Sequence, residues 1–410
     1  MKNSQASNSF KDLGFYDIVH RDSLPRFPGN YFVKIGLIIA ASLILCNYYY
    51  FYFYGFEQGQ VLGVSPVLSL LKVMALILFC FLMLSPVIRT KFKAVDVILF
   101  LSLLYFAVVF LLRRMIWDDG NYMIFNLFIC LIPFFIFEKN KDVRRVFFFL
   151  DACLIILILQ VFIDISIYLS GNSLWDNKAF IGGLGNPSSF GIICSVFLAY
   201  NLFLNTKKTF KFLASVVLLF GILMTSSMMS LFMAVLVVMT WVFTQNKFYF
   251  VIFSVVAVLV AVFIYEYILS DHLLYKLHSL FLLGADDSSR SVSLRIENYD
   301  FFFEQLTNNF TELLLFGYTG VYYYIADSQY LTNIGSFGLI GALAFFMTFI
   351  WYGVEAYKMK NVFGNLTVLV IAIFMLVFFT NRILDYYPVP LILFLIIMSS
   401  RSITRGRDFK

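Results

Sequence analysis

Residues 270–333 read SDHLLYKLHSLFLLGADDSSRSVSLRIENYDFFFEQLTNNFTELLLFGYTGVYYYIADSQYLTN. This is the only long stretch in the second half of the chain that is not continuously apolar. It lies between two hydrophobic runs of membrane-spanning length. Working outward from it, runs of about 20 apolar residues recur along the whole sequence. Hydrophobic residues make up 61% of the 410 and charged residues only 13%, and the mean hydropathy is +0.87. The alternation of a membrane barrel is absent. The expected fold class is therefore all-α, a polytopic membrane helix bundle in which each helix satisfies its own backbone polar groups. No cleavable signal peptide is evident in the mixed-charge first 30 residues.

About twelve transmembrane helices are expected. They run roughly over 31–54, 67–87, 95–112, 122–137, 146–169, 190–204, 209–226, 228–246, 248–269, 334–352, 362–380 and 389–400. The apolar run 212–243 is too long for one span, and Thr225-Ser226-Ser227 supplies a tight turn that divides it. Three segments complete the organisation: a cytoplasmic N-terminal arm (1–30), a single transmembrane domain (31–400) whose periplasmic cap loop 270–333 joins helices 9 and 10, and a cytoplasmic tail (401–410).

The basic residues orient this arrangement. With both termini inside, the expected cytoplasmic segments collect all of the 30 Lys and Arg residues except Arg113, Arg114, Lys178, Lys276, Arg290, Arg295, Arg382 and the intramembrane Lys72. The +6 net charge thus reports topology, and nucleic acid is not an expected partner. The outward arginines run against the topological signal. Each one alone is equally well read as the partner of a nearby acid such as Asp118, Asp119 or Glu297. As a group they look like anion ligands, because guanidinium groups suit bidentate contact with phosphate. The five cysteines all fall inside apolar runs without a CxxC pair, so they read as small buried hydrophobes rather than metal ligands.

Within the cap, a helix is predicted over 289–307, capped by Asp287 or Ser288, with Ile296, Tyr299, Phe303 and Leu306 on one face. Arg290 and Arg295 are about 140° apart on such a helix, and Arg295 is the stronger candidate. Lys72, inside span two, either snorkels or meets an anion. Asp96 is expected to reach the inner interface, and Asp164 to line a cavity. Asp327 is either a general base for a hydroxyl, or a cap for span ten or the partner of a nearby arginine. Trp117 is either a belt anchor or a sugar-stacking residue.

Three further groups of residues carry a family resemblance. They are Gly182-Gly183-Leu184-Gly185-Asn186-Pro187-Ser188-Ser189-Phe190-Gly191; Thr225-Ser226-Ser227; and Arg295 followed by Phe316-Gly317-Tyr318-Thr319-Gly320, Asp327-Ser328-Gln329-Tyr330-Leu331 and the run from Gly335 to Gly341. In this order and placement they resemble the O-antigen polymerase and ligase superfamily of bacterial envelope glycan assembly, over residues 180–345 and in span pattern. The resemblance implies a multi-pass glycosyltransferase of the bacterial inner membrane. It would act on undecaprenyl-pyrophosphate-linked oligosaccharides at the periplasmic face, with no cofactor, metal or nucleotide sugar. It also implies that outward cations hold the donor pyrophosphate while a base activates the acceptor hydroxyl. Arg295 and Asp327 are then the catalytic candidates, and Arg290, Lys72, Arg113, Arg114, Lys178, Asn186, Tyr299 and Tyr330 the substrate-binding ones. A chain-length regulator is a candidate partner beside membrane lipid.

Two departures matter. Family members often carry an arginine after the serine of the hydroxyl-rich turn, where Ser227 and Met228 stand here, and ligases carry a histidine where Asp327 stands. The second departure favours polymerase over ligase. The ligase, which moves glycan onto lipid A core, and a flippase or transporter are the competing expectations. The lack of an internal repeat stands against the transporter.

Overall fold

The computed structural model describes residues 31–46, 66–83, 93–121, 124–136, 140–172, 175, 178–248, 250–251, 290–318 and 327–405. The expected arm 1–30, span nine (248–269), the first part of the cap and the end of the tail lie almost wholly outside the described residues. What is described is all helical: α1 (Tyr31–Leu45), α2 (Pro66–Met83), α3 (Ala94–Trp117), α4 (Ile124–Ile136), α5 (Asn140–Leu169), α6 (Pro187–Leu204), α7 (Lys208–Met224), α8 (Met228–Gln245), α9 (Arg290–Asn308), α10 (Phe310–Leu315), α11 (Gln329–Phe337), α12 (Leu339–Lys358), α13 (Val362–Val377) and α14 (Val389–Arg405). A 3-10 turn, Gly182–Leu184, precedes α6.

Among the described residues, α3, α5, α6, α8 and α12 contain stretches long and apolar enough to cross a membrane, and α1, α2, α13 and α14 carry shorter apolar stretches. The direction in which the apolar residues face supports a bilayer. On α3, Phe100, Leu104, Val108, Leu111 and Met115 are exposed, while Leu99, Leu103, Phe106 and Val109 are buried. On α12, Leu343, Met347, Ile350 and Val354 form an exposed stripe opposite buried Phe345, Phe346 and Phe349. Both faces of these helices are apolar, which suits lipid on one side and protein on the other. The chain is a membrane-embedded, multi-pass protein.

Two helices form the centre. α6 is buried on nearly every side, packed by α7, α8, α13 and α5, and its middle and last turns are held by polar side-chain contacts. Ser195 Oγ donates to Gly191 O and Ser230 O, Asn201 Nδ2 to Lys211 O and Ser215 Oγ, and the Tyr200 hydroxyl to Asp151. α14 is buried from Val389 to Met398 between α4, α5 and α13. Asp96 departs from the expected interfacial position. It is fully buried, accepting 3.0 Å from Lys93 N at the start of α3 and 2.9 Å from the Tyr352 hydroxyl of α12. All five cysteines are free, and Cys130, Cys153 and Cys194 are buried.

Thr225-Ser226-Ser227 does divide the long apolar run. α7 ends at Met224, Ser226 takes φ +52°, and Ser227 caps α8 by accepting from Ser230 N. The expected single span over 334–352 is instead two helices, α11 and α12, meeting at Gly338. Gly338 has φ +81°, a conformation that favours glycine. A Cβ there would also lie 2.5 Å from the Leu315 carbonyl oxygen. Close passage of α10 therefore forces the break, a contact no helical periodicity reveals.

Gly338→Ala should lower the thermal stability of the detergent-solubilised protein by at least about 1–3 kcal/mol from backbone strain alone. Gly353→Ala, where a Cβ meets only Ile371 at 3.8 Å, should be neutral or stabilising. Equal melting curves for the two variants would contradict this account of the break.

Candidate functional site

The site forms where α13 ends. The Phe378 carbonyl accepts from three donors at the start of α11: Gln329 N (2.9 Å), Tyr330 N (3.4 Å) and Ser328 Oγ (3.0 Å). Ser328 is also the N-cap of α11, accepting from Leu331 N. Asp327 is thus not the cap. It is exposed, immediately before it.

The loop 378–388 that follows is clasped by the first turns of three helices. From α11, Gln329 Oε1 accepts from Leu384 N (2.9 Å) while Gln329 Nε2 donates to Asn333 Oδ1 (2.9 Å) and Asp385 Oδ1 (3.4 Å). From α4, Asn126 Nδ2 donates to Asp385 O (2.9 Å). From α6, the N-cap Asn186 accepts from Ser189 N and donates through Nδ2 to the Tyr386 hydroxyl (3.2 Å). A hydroxyl cluster adjoins it, with Ser188 Oγ 3.4 Å from Ser227 Oγ and Ser230 Oγ donating to Ser227 Oγ (2.9 Å). The cap helix α9 reaches the same loop, the Tyr299 hydroxyl donating to Phe379 O (3.1 Å).

Inside this clasp, Arg382 Nε lies 2.8 Å from Asp385 Oδ2. The contact is an ion pair without hydrogen-bond geometry, for among the described residues neither Asp385 Oδ2 nor the buried Arg382 Nη1 has a hydrogen-bond partner. Burial pushes the Asp385 carboxyl up to about 6, with Arg382 and the Gln329 hydrogen bond pulling it down only in part. Burial also raises the Tyr386 phenol; Arg382 opposes this, and the charges of Asp385 and Asp327 add to it. Asp327 lies beside the start of the loop because its neighbour Ser328 bonds the Phe378 carbonyl.

The sequence candidates divide accordingly. Asn186, Tyr299, Tyr330 and Asp327 gather around loop 378–388. Tyr330 does so as a packed residue, its hydroxyl donating to Met375 O and its ring against Phe346, Phe378 and Phe379. Arg113 does not stand free for a ligand. It is buried, its Nη2 donating to Asp119 and its Nη1 to Phe316 O (3.1 Å) and Gly335 O (2.8 Å). The fold occupies this guanidinium, which ties α3 to the α10–α11 junction. Arg114 pairs with Asp118 at 3.0 Å. Lys178 lies 5.6 Å over the Tyr168 ring, in a shallow pocket with Asp164 and Asn172, away from the loop. Asp164 accepts from Ile181 N and Gly182 N and so holds the segment before α6. Trp117 packs on Phe316.

Arg290 opens α9 and Arg295 lies one turn before Tyr299 on it. Lys72 sits in α2. The side chains of these three lie outside the described residues. Half of the expected face of α9 packs inward. Tyr299 and Leu306 are half-buried, together with Asn298, Phe301, Phe302 and Gln305, while Ile296 and Phe303 are exposed. The aromatic run 301–303 offers more than one apolar face, and the Phe301–Tyr318 contact selects one.

Gln329, Arg382, Asp385, Tyr386 and Asn126 escape the sequence reading as site residues. The available signal is the turn itself, with an arginine three residues before an aspartate between two apolar runs. No known family, curated protein or solved structure matches the chain.

Two outcomes are expected. Asp119→Ala leaves the Arg113 charge buried without its carboxylate and should cost about 3–5 kcal/mol, read as a drop in melting temperature. For Asp385, the folded value of about 6 lies above the ordinary 3.8, so the native state keeps a proton that the unfolded chain has lost. Stability should therefore fall as pH rises from about 4 to 6, by up to about 3 kcal/mol, and level off above that. Asp385→Asn should flatten this slope; an unchanged slope in the variant would refute the assignment.

Proposed function

We propose that this chain polymerises undecaprenyl-pyrophosphate-linked repeat units of O-antigen, or of a related surface polysaccharide, on the periplasmic face of a bacterial inner membrane. In this reading it has about twelve spans, both termini inside, and the 270–333 segment over its outer face. The observation that carries the proposal is the gathering of Asn186, Tyr299, Tyr330 and Asp327 around one loop. Asn186 and the pair Asp327 and Tyr330 belong to two segments on which the family resemblance rests, far apart in sequence, and Tyr299 lies one turn after Arg295.

The reaction then needs three things of this chain. A carboxylate must take the proton of the acceptor hydroxyl, and exposed Asp327 is the candidate. The acceptor oxygen bonds to the anomeric carbon of the growing glycan as the bond from that carbon to the lipid pyrophosphate breaks. Cations must hold the pyrophosphate as its negative charge develops. Arg295, one turn before Tyr299 on α9, is the candidate.

Deletion of the gene should leave surface lipopolysaccharide carrying a single repeat unit. Core bare of any repeat would point instead to a ligase or flippase, and long chains would remove the proposal. In a complemented deletion, Arg295→Ala and Asp327→Asn should each reduce chain extension by at least about a hundredfold, the size of a lost acid–base or charge-stabilising contact, while the protein still accumulates in the membrane.

A further inference from the structure

Arg113, Arg114 and Arg382 are the arginines with described side chains at this end of the bundle, and they differ in what they have left to bind. Both terminal nitrogens of Arg113 donate to the protein, and only its Nε is buried without an acceptor among the described residues. Arg114 engages the carboxylate and the carbonyl of Asp118. Arg382 has one carboxylate at 2.8 Å from Nε, and its terminal Nη1 is buried with no acceptor among the described residues. A guanidinium N–H removed from water without an acceptor carries its full desolvation cost, and such a group is exceptional in a folded protein. The Arg382 side chain is 18% exposed, so part of it stays open to the outside while Nη1 is covered.

The surroundings favour a second negative group. The first turns of α4, α6 and α11 all bind loop 378–388, through Asn126, Asn186 and Gln329. Helix N-termini carry partial positive charge and stabilise anions placed near them. Against these stands one buried carboxylate, Asp385, whose Oδ2 meets Arg382 without hydrogen-bond geometry. An imperfectly bonded internal counter-ion is one that a better-fitting oxyanion can displace, because phosphate oxygens accept two parallel guanidinium N–H bonds.

We infer that Arg382 is a phosphate-class oxyanion ligand of this site, and that Asp385 is the internal carboxylate the incoming anion displaces. The inference rests on the polymerase reading only in taking the ligand to be the lipid pyrophosphate.

The test uses the full-length protein purified in a nonionic detergent. Its affinity is read from thermal-shift titrations at constant ionic strength, with inorganic pyrophosphate in one arm and undecaprenyl pyrophosphate in the same micelles in the other. The wild type should bind. Binding of both forms identifies the pyrophosphate group itself as the ligand, and binding of the lipid form alone identifies a membrane headgroup. Arg382→Gln should weaken binding on the order of tenfold or more, the loss of a charge-assisted hydrogen-bonded contact. Arg382→Lys, which keeps the charge without the planar fork, should fall between. Asp385→Asn should tighten binding, since it removes the competitor and keeps the arginine.

Wild-type affinity in Arg382→Gln, or absence of binding by the wild type in both arms, would overturn the inference. Should Arg382→Gln fail to fold, Asp385→Asn decides alone: weaker or unchanged binding refutes displacement. An Arg382-dependent anion site in a protein whose deletion leaves long polysaccharide would sink the polymerase reading and keep this one. The single-repeat phenotype with Arg382-independent binding would do the reverse.

Discussion

The Phe378 carbonyl is the contact on which the rest of this end of the protein depends. A helix leaves its last carbonyls and the next helix its first N–H groups without internal partners, and in a membrane protein neither set can be left bare. Here the two deficits cancel. The carbonyl ending α13 accepts from the N–H groups of Gln329 and Tyr330 and from the Ser328 hydroxyl that caps α11. The negative end of one helix meets the positive end of another, so the contact is favourable as a dipole pair as well as a hydrogen bond. It fixes where loop 378–388 begins, and hence where Arg382, Asp385 and Tyr386 stand.

The α11–α12 break follows from the same geometry. A continuous helix from 329 to 358 would carry the Ser328 end along the α12 axis, away from Phe378. Gly338, at φ +81°, lets α11 turn off that axis while α10 passes close by. Arg113 holds the bend, because its guanidinium bridges the Phe316 and Gly335 carbonyls that the departure from helix exposes. A second close approach lies beside it: a Cβ on Gly317, itself at φ +86°, would run into the Gly335 carbonyl. Arginine is suited to this role since it stays charged at any accessible pH and offers several donors in a fixed plane.

Two carboxylates flank the resulting site in opposite environments. Asp327 is exposed, whereas Asp385 is enclosed by Arg382, Gln329 and the loop backbone. Environment, more than residue type, separates the tasks two such groups can perform. The exposed one is open to an arriving hydroxyl. The enclosed one balances an arginine until something else does.

Composition and periodicity alone determined the all-helical, membrane-embedded class, because a bilayer demands long apolar helices whatever their packing. The turn at Thr225-Ser226-Ser227 and the cap helix carrying Arg295 and Tyr299 were legible for the same local reason: hydroxyl residues cap, and aromatic residues at helical spacing need a surface. Asn186 was legible as the start of α6 through Asn-Pro chemistry. Pairing was not legible. Nothing local distinguishes Arg113, whose Nη1 is taken up by carbonyls more than 200 residues away, from Arg382, whose Nη1 has no acceptor among the described residues. Nor does helical spacing announce that Gly338 breaks a span, since the Leu315 carbonyl that enforces the break comes from another element. Local energetics wrote the helices into the sequence. Which charges remain available for a ligand was decided only in the folded protein, where long-range contacts bring acceptors to some donors and not to others.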